Sequence, residues 1–142
     1  MSLKQIFKIL FWRCVLPLMI GLTVYLFFHK PDLLLHKWIS AHLRIPDYYP
    51  LIKNSSVAIF LLNHFPDCLW AYSLTCFLTL FISNAIPSQL KAAIIIIIVS
   101  FTEIVQLFFP KQFTFDWVDL FLLIIISCFT LIFWPYEKEN SV

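Results

Sequence analysis

Four long apolar runs constrain this chain more than any motif does. One begins at Leu90 and passes through the unbroken stretch AAIIIIIV to about Phe109. The others run from about Ile9 to Phe28, from Pro66–Asp67 to about Ser83, and from about Trp117 to Trp134. Each approaches the ~20 residues needed to cross a hydrocarbon core of ~30 Å. Asn84 to Gln89 and Pro110 to Asp116 are short links, and short links force antiparallel neighbours. Composition agrees. The chain is 61% hydrophobic and 13% charged, whereas a soluble domain carries about 25% charged residues. The expectation is an all-α polytopic membrane bundle of about four transmembrane helices, forming a single integral membrane domain over residues 1–142.

The segment from His29 to Phe65 is too polar to span. Asp32, His36, Ser40 and Arg44 form one i, i+4 row, with Leu34, Leu35, Trp38, Ile39 and Leu43 opposite. That pattern predicts an amphipathic helix in the interface plane between the first and second spans. After a possible cap at Ser55–Ser56, the short run Val57 to Leu62 reads as a separate interfacial or re-entrant helix leading into Pro66.

Lys4, Lys8 and Arg13 precede the first apolar run, but its exit, Tyr25 to Pro31, lacks the small residues of a cleavage site. A retained first span is expected. Basic residues divide evenly between the two sides, so the positive-inside rule gives a tie by count. The three beside the first span favour cytoplasmic termini. A net charge of +2 is too small and scattered for nucleic-acid binding. Cys14, Cys68, Cys76 and Cys128 lie in apolar stretches with no CxxC pair, and read as small packing residues.

Ionisable residues within spans face the bundle interior or water. Helical spacing gives each run a small or polar stripe. These are Arg13, Pro17, Gly21, Tyr25, His29; then Asp67, Ala71, Thr75, Thr79, Ser83; then Ala92, Ile96, Val99, Glu103, Gln106, Pro110; and lastly Asp116, Asp119, Leu123, Ser127, Thr130, Trp134. With four alternating spans, Asp67, Glu103, Asp116 and Asp119 all sit near one membrane face, with Lys111 in the adjoining turn. The expected ligand-binding site is therefore Glu103, Gln106, Asp67, Lys111, Asp116 and Asp119. Asp67, Asp116 and Asp119 also suit the first turn of a helix, where free N–H groups stabilise a carboxylate without further function. Glu103 lies towards a helix C-terminus, where the dipole opposes its charge. Burying an Asp at a helix centre costs about 2.5–3.5 kcal/mol on insertion scales, which makes Glu103 the strongest functional candidate. His64, just before Pro66–Asp67, is placed to add a nitrogen ligand to the pocket. No HExxH or other metal spacing appears, so no metal and no cofactor are expected. With one glycine, the chain has no phosphate loop, nucleophile elbow or dinucleotide fingerprint, and no catalytic residue can be named.

The stretch Thr102 to Leu120, TEIVQLFFPKQFTFDWVDL, resembles the signature of the VanZ-like family. That pattern has a Glu, a Gln three later, a Pro-containing turn with a basic residue, then Phe–Asp and a second Asp opening the last span. Glu103, Gln106, Pro110, Phe115, Asp116 and Asp119 match it, and Lys111 stands in for the usual arginine. Leu123 stands where the family usually has Asn, and the glycines that follow there are missing. The resemblance implies a small multi-pass protein of the cell inner membrane with a cell-envelope role. The family is named for a member linked to glycopeptide resistance, so an antibiotic-resistance role belongs to the same expectation. The implied partner is a membrane lipid or lipid-linked precursor, met by an outward-facing acidic pocket that binds or modifies it. Two other readings stand beside it: a structural or accessory subunit with membrane-protein partners, and an oligomeric proton- or cation-coupled transporter.

Overall fold

The computed structural model describes residues 2–28, 42, 54–108 and 115–133. These form helices and no strands. The expected interfacial helix over 32–44 and the turn residue Lys111 lie outside the described residues. Helix α1 spans Leu3–Phe28, α2 spans Ser56–Phe81, and α3 spans Ser88–Ile104 before tightening into a 3₁₀ turn, Val105–Phe108. Helix α4 spans Trp117–Phe133. Leu3–Phe28 and Ser88–Phe108 are each long and apolar enough to cross a membrane.

Side-chain pairs fix the direction of each helix. Gly21 of α1 lies against Pro66 and Leu69 of α2. Lys91 near the start of α3 reaches Thr79 and Ile82 at the end of α2. Glu103 near the end of α3 meets Asp116 just before α4. His64 and Thr75 of α2 meet Asp119 and Ser127 of α4 in the same order, so α2 and α4 run parallel. The chain thus goes up, down, up, down, and α2 packs against α1, α3 and α4.

Polarity is distributed inside out. Among the described residues, Ala71, Ile95, Val99 and Leu123 form the shared apolar core of α2, α3 and α4. Ser73, Thr75, Thr79, Lys91, Ser100, Glu103, Ser127 and Thr130 are buried as well. Meanwhile Ile132 is 74% and Trp117 73% exposed, and Phe77, Phe81, Ile97, Phe101 and Phe121 are exposed too. Such a belt is unusual for a water-facing surface. Small residues and interhelical hydroxyl bonds join the helices beneath it. The bond from Thr75 Oγ1 to Ser127 Oγ, 3.0 Å, is one such link.

The prolines explain two irregularities. Pro17 has no N–H to donate to the carbonyl four residues back, and its ring would clash with that carbonyl in a regular α-helix. The helix widens to π geometry over Leu10–Val15, just before it, a recognised local adjustment. Pro66 behaves differently from expectation. The sequence predicts a break there, with a short helix over Val57 to Leu62 and a new span opening at Pro66–Asp67. Instead α2 is continuous from its Ser55 cap, whose hydroxyl accepts the Ala58 N–H, through Pro66 to Phe81. One ladder bond, to the Leu62 carbonyl, is lost. Close packing of α1 over this point holds the helix together. A Cβ built on Gly21 would lie 3.5 Å from the Pro66 oxygen and 3.6 Å from its Cα.

Those distances are ordinary van der Waals contact, which sets an expected mutational pattern. Gly21→Ala should change stability by less than about 1 kcal/mol, since helix propensity improves as the gap fills. Gly21→Leu should cost about 1–3 kcal/mol through overpacking against backbone. Thermal unfolding of both variants in detergent checks this; equal midpoints would disprove the close crossing.

The α3 stripe also needs correction. The sequence reading put Ala92 and Ile96 on the inner face. The buried row is Lys91, Ile95, Val99 and Glu103, with Ser100 beside it. Lys91 is only 3% exposed. Its Nζ donates to the carbonyls of Thr79 at 2.8 Å and Ile82 at 2.9 Å, and to Asn84 Oδ1 at 3.0 Å. A lysine thus caps the C-terminus of a neighbouring helix, satisfying carbonyls that have no helical partner.

Candidate functional site

At the other end of the helices, where α2 and α4 start and α3 ends, the acidic residues gather. Asp116 is the N-cap of α4: its Oδ1 accepts the Val118 N–H at 2.8 Å, and its carbonyl accepts from Leu120. The capping role open to Asp116 from sequence is therefore realised. Asp119 lies in the first turn of α4, where the helix dipole favours a carboxylate. Asp67 differs from expectation. Because α2 begins at Ser56, Asp67 sits well inside the helix and draws nothing from the N-terminal dipole.

Glu103 is 5% exposed and both its oxygens are used. Oε1 accepts the backbone N–H of Asp116 at 3.1 Å, and Oε2 accepts the Gln106 amide at 2.6 Å. It joins the end of α3 to the start of α4 and sets the position of the Asp116 cap. The hydrogen bond to Asp116 joins residues thirteen apart in the chain.

His64 completes the arrangement. Its Nδ1 is within hydrogen-bonding distance of Asp119 Oδ1, and the two side chains keep 13% and 17% exposure. The Phe60 ring, one turn earlier, lies 4.4 Å from the imidazole centroid and restrains it. His64, Asp116 and Asp119 each offer one ligating atom within 4.8 Å of the others. Asp67 lies close enough to Asp119, Glu103 and His64 for their charges to act on it.

Of the expected site residues, Glu103, Gln106, Asp116, Asp119 and Asp67 come together, and Lys111 lies outside the described residues. His64 was not among them, although its nitrogen was noted. The signal that would have included it is the i, i+3 spacing of His64 and Asp67, which puts both on one face of a continuous helix. Reading a break at Pro66 hid that relation.

A groove of about 550 Å³ lies between α2 and α4, lined by Phe65, Cys68, Leu69 and Tyr72 of α2, Ile126, Phe129, Thr130 and Phe133 of α4, and Arg13 of α1. Its walls are mostly apolar. No family model, curated protein or solved structure matches this chain.

Proposed function

We propose that the chain is a VanZ-like, four-span protein of the inner membrane that binds or modifies an envelope lipid or lipid-linked precursor. The observation that carries this reading is a junction on α2. His64 and Asp67 belong to the polar cluster, while Phe65, Cys68 and Leu69 beside them line the apolar groove. An amphiphile needs both features in contact, a wet polar site for its headgroup and an apolar channel for its chain. In this reading α2, 26 residues and about 39 Å long, and α4, 17 residues and about 26 Å long, also span. Both termini then share the cytoplasmic side, and the cluster faces outward.

The binding test is native mass spectrometry of the protein released from mild detergent. A lipid or lipid-linked adduct should survive on the parent protein and be lost in Phe129→Trp, which fills the groove from an exposed position. Stoichiometric protein partners without any lipid would replace this reading with the accessory-subunit one. Topology is tested separately by cysteine labelling, with the four native cysteines replaced. Ser2→Cys and Ala85→Cys should react from one side, and Ser55→Cys and Trp117→Cys from the other. Labelling of all four from one side would end the four-span arrangement.

A further inference from the structure

We propose that His64, Asp116 and Asp119 bind one divalent transition-metal cation. The donors come from two parallel helices: an imidazole from α2, a carboxylate at the cap of α4 and another from its first turn. Their ligating atoms lie within 4.8 Å of one another. A tetrahedral cation with bonds of about 2.0–2.2 Å holds its ligands about 3.4 Å apart. Side-chain rotations of about an ångström close the wider pairs and open the His64–Asp119 contact to that spacing. Three protein ligands leave one position free, the arrangement of a zinc ion that keeps a water or substrate oxygen.

The choice of cation follows from the donor set. Magnesium and calcium prefer oxygen alone, whereas an imidazole among carboxylates suits zinc or manganese. Charge points the same way. Among the described residues, the proposed site sets the carboxylates of Asp116 and Asp119 against the single imidazole of His64. A dication offsets that excess, which an imidazolium alone does not. The supporting layer is present too: Glu103, to which the Gln106 amide donates, accepts the Asp116 N–H, and Phe60 restrains the His64 ring. The partial exposure of His64 and Asp119 gives the ion a path from water.

The cation is independent of the lipid reading, and zinc alone is the probe. Protein stripped with chelator and held in detergent should bind Zn²⁺ at one equivalent by calorimetry, with a raised thermal midpoint. Affinity should fall at least tenfold in both His64→Gln and Asp119→Asn, and Mg²⁺ should not compete. Zinc-edge X-ray absorption of the unmutated protein guards against variants that misfold. It should show nitrogen and oxygen at about 2.0–2.2 Å, and a sulfur shell at about 2.3 Å would assign the metal to cysteine instead. That sulfur shell, the absence of saturable binding, or unchanged affinity in both variants would overturn the proposal.

Discussion

Lys91→Met should destabilise the protein by about 2–4 kcal/mol, the cost of leaving buried acceptors without donors. The ammonium meets two carbonyls at the end of α2 and the Asn84 side chain, and methionine fills the space while donating nothing. Lys91→Arg should recover part of the loss, because it keeps donors in a larger head that fits the site less well. Denaturation in detergent measures both. A lysine retained only as a topological charge predicts a different outcome: unchanged stability in Lys91→Met, with altered orientation in the membrane. Stability equal to the parent would therefore remove the cap from the account of the fold.

Glu103 carries the second large effect, and its two substitutions should separate structure from function. Glu103→Ala strands the Asp116 N–H and the Gln106 amide, at about 1–3 kcal/mol, and should loosen the start of α4. Glu103→Gln keeps a carbonyl oxygen for Asp116, and Gln106 can rotate its amide to match. Folding should stay within about 1 kcal/mol of the parent, while ligand binding by the pocket should fall at least tenfold. A glutamate that matters only as a strut predicts loss of stability in both variants and full binding in the glutamine one. Thermal midpoint and native mass spectrometry on the same preparations decide between them.

Much of the helical layout was legible because its cause is local. Run length and closing prolines placed α3 and α4 within a few residues. The Ala71–Thr75–Thr79 and Leu123–Ser127–Thr130 stripes, read from i+3 and i+4 spacing, are buried. The misreadings share a different cause. Pro66 looks like a helix start when local propensity is the only guide, and the packing of Gly21 that tolerates it is tertiary. Lys91 looks like a surface charge because lysine is almost never fully buried without a partner. Its partners are the carbonyls of another helix, which no side-chain pattern displays. The meeting of Glu103 with Asp116 followed from the short link between two antiparallel helices, whereas the contact of His64 with Asp119 required knowing that α2 runs unbroken.

The lysine cap also bears on how the protein is made. In the proposed four-span arrangement α2 enters the bilayer before most of its partners exist, with its Thr75 and Thr79 stripe uncovered and its last carbonyls open. Lys91 follows Ile82 by only nine residues, so it emerges almost at once and brings the donors those carbonyls lack. The α2–α3 pair therefore has reason to settle as a hairpin, with α4 closing over Thr75 later.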